Sequence, residues 1–127
     1  MELSGKVVAV TGGASGIGRG LARRFAREGA RGVAVADIDA AGARAVAEDI
    51  GEAAIGIGCD VASEEEMRAL VSQAEEAFGP IDVFVLKRAG KDQYRWRDVP
   101  FAAKAFDPAV FDIQRLPKNV VVAIRKP

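Results

Sequence analysis

The chain has 127 residues, half of them apolar, and carries 18 basic and 18 acidic side chains. That length suits one domain with a single core, and that composition is globular rather than disordered. With no net charge and no apolar run near the roughly 18 residues that cross a bilayer, neither nucleic acid nor a membrane is an expected partner. Histidine is absent and Cys59 is the sole cysteine. The commonest general base and the commonest transition-metal ligand are therefore missing, an internal disulfide is excluded, and no metal site is expected. The opening MELSGKVVAV has no charged start followed by a long apolar stretch and a cleavage site, so no signal peptide is expected. A cytoplasmic location follows as the expectation.

KVVAVT (6–11) is a β-branched run ended by glycine and reads as a buried strand. From Ser15 to Glu28, Ile17, Leu21 and Phe25 recur every four residues with Ala22 and Ala26 beside them, the pattern of one apolar helix face that Gly29 is placed to end. RGVAVAD (31–37) is a second strand, and AAGARAVAEDIG (40–51) a second helix with Val46 and Ile50 inward. AAIGIGCDV (53–61) is a third strand. Ser63 and Glu66 have the spacing of a capping box. Met67, Leu70, Val71, Ala74 and Phe78 follow at helical spacing up to Gly79-Pro80, and IDVFVL (81–86) is a fourth strand. Further on, DVPFAAKAF (98–106) has the form of a short helix and NVVVAI (119–124) that of a strand. Buried strands alternating with helices imply a parallel sheet with right-handed crossovers. The expectation is a doubly wound, Rossmann-like α/β fold of about five strands in the order 3-2-1-4-5, one domain over residues 1–127.

The balance of charge hides a seam. Residues 1 to 86 carry 8 basic and 14 acidic side chains, whereas residues 87 to 127 carry 10 and 4. All 14 glycines lie at or before Gly90, and all five prolines at or after Pro80. The stretch 87–127 is thus an atypical basic tail within the domain. Its basic run Lys87, Arg88, Lys91, Arg95 and Arg97 reads as a solvated loop, and Trp96, Phe101, Phe106 and Phe111 as a small core. Cys59 reads as a packed hydrophobe, and Glu64, Glu65 and Glu66 as partners of a helix N-terminus.

The segment TGGASGIGRG (11–20) is half glycine. A tight strand-to-helix turn needs residues without Cβ clashes, and a phosphate needs a close backbone approach and unpaired N–H groups at the positive end of a helix. Gly12, Gly16 and Gly18 meet these needs together, and the N–H groups from Gly16 through Ile17 to Gly18 would meet a pyrophosphate. Ser15 reads as a hydrogen-bonding loop residue. Asp37 ends the next strand, 19 residues past Gly18. A carboxylate there accepts hydrogen bonds from an adenosine ribose and repels a 2′-phosphate, which favours NAD over NADP as cofactor.

With these residues in place, the sequence resembles the short-chain dehydrogenase/reductases. Thr11-Gly12-Gly13-Ala14-Ser15-Gly16-Ile17-Gly18 fits that family's TGxxxGxG loop. Ala36-Asp37-Ile38-Asp39 resembles its NAD-selecting strand end, Cys59-Asp60-Val61 its Asp-Val pair, and Gly79-Pro80-Ile81-Asp82-Val83 its entry to the fourth strand. The resemblance covers residues 1 to about 85. It implies NAD(H) as partner, with Gly12, Ser15, Gly16, Ile17, Gly18, Asp37, Ile38, Asp60 and Val61 at the cofactor, Asp60 and Val61 flanking adenine, and Ala89 and Gly90 near the nicotinamide ribose.

The departures are as specific. Where the family continues into Asn-Asn-Ala-Gly, this chain reads Leu86-Lys87-Arg88-Ala89-Gly90. The family's chemistry uses a serine and a tyrosine followed four residues later by lysine. Here the sole tyrosine, Tyr94, is followed at that spacing by Asp98, and no serine lies beyond Ser72. A pairing of Tyr94 with Lys104 has no motif behind it, so no catalytic residue is assigned. The resulting expectation is an NAD-linked oxidoreductase of alcohol–carbonyl type in truncated form, inactive alone, whose small alcohol or carbonyl substrate would need a full enzyme. The alternatives are a non-catalytic NAD-binding module, and a chain of chimeric or engineered origin. An exposed last edge strand would leave a homo-oligomer open.

Overall fold

In the computed structural model, residues 3–87, 105–116 and 120–127 are described. The elements in chain order are β1 (Val7–Val10), α1 (Gly16–Arg27), β2 (Gly32–Asp37), α2 (Ala40–Ile50), β3 (Ala54–Gly58), α3 (Glu64–Phe78), β4 (Val83–Lys87), β5 (Phe111–Leu116) and β6 (Val120–Arg125). The sheet runs β3-β2-β1-β4-β6-β5. The first four strands are parallel, with Val7 opposite Gly32, Val8 opposite Val83 and Val33 opposite Ala54. No described helix is long and apolar enough to cross a membrane.

The α/β, Rossmann-like class stands, with two corrections to its sheet. Among the described residues the sheet has six strands, where about five were expected, and the sixth runs antiparallel to β4, Val83 facing Ile124 and Lys87 facing Val120. Only Pro117, Lys118 and Asn119 separate β5 from β6, far too few residues for a crossover, so these two strands pair as antiparallel neighbours. The strand expected last does lie beside β4, but in the reverse direction, and β5 takes the outer edge. The helix expected over 98–106 lies almost wholly outside the described residues, as do Trp96 and Phe101.

Both faces of the sheet are covered, as strands buried on two sides require. Val8, Val10, Val33, Val35, Val83 and Val85 face Ala22 of α1 and Ala43, Val46 and Ala47 of α2. Val7, Ala9, Ala34, Ala36, Phe84 and Leu86 face Met67, Leu70 and Ala74 of α3, together with Phe106 and Phe111. Phe106 lies 4.5 Å from Phe84, ring centre to ring centre, and meets Phe111 edge-on at 5.1 Å. This aromatic row seals the hairpin onto β4. Asp82 and Arg125 tie the opposite end. The Asp82 carboxylate accepts from the Val7 N–H at 2.9 Å, and Arg125 donates to the Ile81 carbonyl at 2.8 Å while its guanidinium covers the Phe111 ring.

Helix termini follow their sequence signals with two differences. Gly29, Gly51 and Gly79 take positive φ just past α1, α2 and α3. At α3 the expected capping box is only half formed. Ser63 Oγ accepts from the Glu66 N–H at 3.2 Å, but the Glu66 carboxylate turns to the Asp60 N–H instead. On α1, Ile17 is 38% exposed rather than inward, and Gly18 and Ala22 form the buried contact.

Candidate functional site

The sheet order reverses between β1 and β4, because α1 and α2 wind to one side while α3 crosses to the other. Ligands of open α/β sheets settle outside the carboxyl ends of the strands at such a point. The loop 11–15 follows β1 directly into that crevice, and the end of β4 lies beside it.

Thr11 fastens the two together. Its side chain is buried, its hydroxyl oxygen accepts from the Lys87 N–H at 2.7 Å, and the hydroxyl donates to the Lys87 carbonyl at 3.0 Å. Its own N–H bonds the Val85 carbonyl at 2.9 Å. Gly12 then turns with φ 64°, and a Cβ there would stand 3.0 Å from the Lys87 carbonyl oxygen. Thr11 is not among the residues that the sequence places at the cofactor. The available signal was a polar residue extending the β-branched strand, at a place where the sheet demands burial.

Gly16 opens α1 with φ 57° and has open space around its missing side chain. Gly18 is needed for a different reason: a Cβ there would overlap the Gly12 carbonyl, so helix and loop can close on each other only with glycine. Ser15 is the N-cap residue but makes no side-chain capping bond, and no acidic residue stands in the first turn. The start of α1 therefore presents uncapped N–H groups and an uncompensated positive dipole. The other two helices differ: Asp39 caps α2 through the Gly42 N–H, and Ser63 caps α3, whose first turn holds three glutamates.

Asp37, at the end of β2, is buried against the loop. Its Oδ2 accepts from the Ala14 N–H at 3.0 Å and its Oδ1 from the Asp39 N–H at 2.9 Å. Ile38 beside it is 73% exposed, an apolar side chain left in the open next to the crevice. Asp60 and Val61 follow β3 and are half-buried. Asp60 accepts from the Ala62 N–H at 2.9 Å, which shapes the turn into α3. Gly12, Ser15, Gly16, Ile17, Gly18, Asp37, Ile38, Asp60 and Val61 thus all lie at the carboxyl ends of β1, β2 and β3. Ala89 and Gly90 lie outside the described residues, as do Tyr94 and Lys104. Lys87 ends β4 with its Cβ side toward Gly12.

Cys59 is buried beside Met67, with the sulfurs 3.8 Å apart. Burial, with the negative charges of Glu66 and Asp60 adding to it, pushes the thiol up from 9.0 to about 12. It is a neutral packing group, not a nucleophile. Among the described residues no group of three or more His, Cys, Asp or Glu side chains is placed to hold a metal ion.

A family model described as short chain dehydrogenase matches residues 6–105. The (+)-cis,trans-nepetalactol synthase of Nepeta racemosa is 46% identical over 82 residues, which are 65% of this chain and 30% of that protein. The sorbitol dehydrogenase of Cereibacter sphaeroides is 45% identical over 85 residues, 67% of this chain and 33% of that one. The chain therefore spans about a third of the length of these curated relatives. Among solved structures, the 3-ketoacyl-(acyl-carrier-protein) reductase from Brucella melitensis, complexed with NADH, superposes with a TM-score of 0.69 at 32% identity, over 85% of this chain and 51% of that one. With a family model spanning most of its length and a matching sheet, this chain belongs to the short-chain dehydrogenase family.

Proposed function

We propose that this chain binds a nicotinamide dinucleotide in the crevice above β1 and β4, with NAD preferred to NADP. The observation that carries the reading is the start of α1: uncapped, without an acidic residue, and fronted by a glycine whose missing side chain faces open space. That donor set suits a pyrophosphate. Asp37 keeps lone pairs for the adenosine ribose hydroxyls and would repel a 2′-phosphate. The exposed Ile17 and Ile38 offer apolar surface to the cofactor's flanks, and Asp60 and Val61 supply the adenine end. When bound, the nicotinamide ring is the hydride carrier of the family's alcohol–carbonyl chemistry.

The chain's own residues would bind and orient that cofactor without completing the reaction. The sequence contains no tyrosine followed four residues later by lysine, and no serine after Ser72. The reading is therefore a truncated oxidoreductase of the family, inactive alone. A second reading, a non-catalytic dinucleotide-binding module, draws support from the hairpin, which pairs along all of β4.

Calorimetric titration with NAD and then NADP tests the cofactor assignment. Saturable binding that favours NAD by about tenfold or more is expected, because a buried carboxylate disfavours a nearby phosphate by at least about 1.4 kcal/mol. Equal affinity, or none at millimolar cofactor, would overturn it. A secondary-alcohol screen with NAD should give no reduced cofactor, and turnover would overturn the inactive reading.

A further inference from the structure

Asp37 is tied down before any ligand is considered. It is 8% exposed, and each carboxylate oxygen already accepts a backbone N–H, from Ala14 at 3.0 Å and from Asp39 at 2.9 Å. One residue earlier, the Ala36 carbonyl accepts from the Gly13 N–H at 2.9 Å. Two successive loop amides are thus held by two successive residues of β2. A Cβ on Gly13 would come within 2.7 Å of the Val35 side chain, so the loop lies flat on the strand here. On its other side Ala14 packs on the first turn of α2, where a Cβ on Gly42 would stand 2.9 Å from the Ala14 Cβ. Loop, strand end and second helix meet at Ala14, and Asp37 is the buried charge of that joint.

A buried carboxylate is tolerated only with hydrogen-bond donors, and bonds to a charged acceptor are stronger than neutral ones. Here the donors are the loop's own amides, so the burial of Asp37 and the shape of the loop depend on each other. We infer that Asp37 is a positioning residue, which clasps the glycine loop in its ligand-ready form in the free protein. This deepens the cofactor reading and rests on it for the identity of the ligand. A carboxylate has about four lone-pair sites. Two are used by the clasp, and two remain for ribose hydroxyls.

The two roles predict different results for NADP. If Asp37 acted on the ribose alone, Asp37→Ala would weaken NAD and tighten NADP by removing repulsion. If it also clasps the loop, the variant loses preorganisation for both ligands, so NAD weakens further and the relief of repulsion does not appear as tighter NADP binding. The experiment is amide hydrogen exchange on the free protein, followed by titration with NAD and NADP, for wild type, Asp37→Ala and the nearly isosteric Asp37→Asn. Exchange at Ala14 is expected to rise about tenfold or more in Asp37→Ala, the usual scale for losing a bond to a charged acceptor, while Val8 to Val10 in β1 stay protected. Asp37→Asn keeps one acceptor oxygen and should fall between the two. NAD should bind more than about tenfold more weakly to Asp37→Ala, and NADP no more tightly than to wild type, because the lost clasp offsets the relieved repulsion. Unchanged exchange at Ala14, or tighter NADP binding, would overturn the clasp. Wild-type protein that binds neither dinucleotide while Ala14 exchange still depends on Asp37 would overturn the cofactor reading and leave the clasp standing.

Discussion

Single residues in this chain divide by what their missing or present atoms allow. Gly18 shows the effect of one carbon. Replacing it with alanine places a methyl group against the Gly12 carbonyl, and neither backbone can retreat without moving the loop off β2 or tilting α1. Gly18→Ala should lower stability by about 1–3 kcal/mol and abolish dinucleotide binding, read by chemical denaturation and by titration. Gly20, on the open side of the same helix, is the control: a Cβ there meets nothing within 4 Å, so Gly20→Ala should bind normally. Cys59 makes a prediction about alkali. Its thiol is raised from 9.0 to about 12 in the folded chain, so the unfolded chain releases its proton first as pH climbs. The stabilisation is complete below pH 9 and is lost between about 9 and 12, at a slope of up to about 1.4 kcal/mol per pH unit. Denaturation measured at pH 9, 10 and 11 should show that slope in wild type, and Cys59→Ala should flatten it. Equal slopes in the two would refute the assignment.

Elements tell where local pattern suffices. The four parallel strands and three helices were legible, because β-branched runs bounded by glycine and helical spacing of Leu70, Val71 and Ala74 are strong local signals. The last two strands depart from the expected order for a reason of geometry. Phe111 and Ile113 alternate with Asp112 and Gln114, a period-two pattern visible in the sequence, and the three residues to β6 forbid a crossover. Read together they announce a hairpin; read singly they suggest one parallel strand. The expected inward face of α1 went wrong at Ile17, since helical periodicity cannot tell a core from a crevice. Likewise the glycine loop and Asp37 could be located from spacing, but their mutual hydrogen bonds could not, because two groups 23 positions apart meet only once β1 and β2 are paired. The hairpin's hold on the body is tested at Phe84, fully buried between α3 and the Phe106 ring. Phe84→Ala should cost about 3–5 kcal/mol and expose the β4 and β6 amides to exchange together. Loss of protection confined to β4 would mean that the aromatic row does not couple them.

For the molecule as a whole, the sheet is two triplets joined in the middle. β3, β2 and β1 form a parallel set, and β4, β6 and β5 form a second set in which β6 runs against its neighbour on either side. β6 lies opposite every residue of β4, whereas β1 faces β4 only at Val8, Ala9 and Val10. The β1–β4 joint, reinforced by the Thr11 hydroxyl, is thus the shorter of the two ladders on β4 and the central line of the sheet, and it lies directly beneath the glycine loop. Anything seated there with one side on the loop and the other on the end of β4 spans that line like a rivet. Binding and mechanical cohesion are then one event, and the molecule should resist being pulled apart most when its crevice is full.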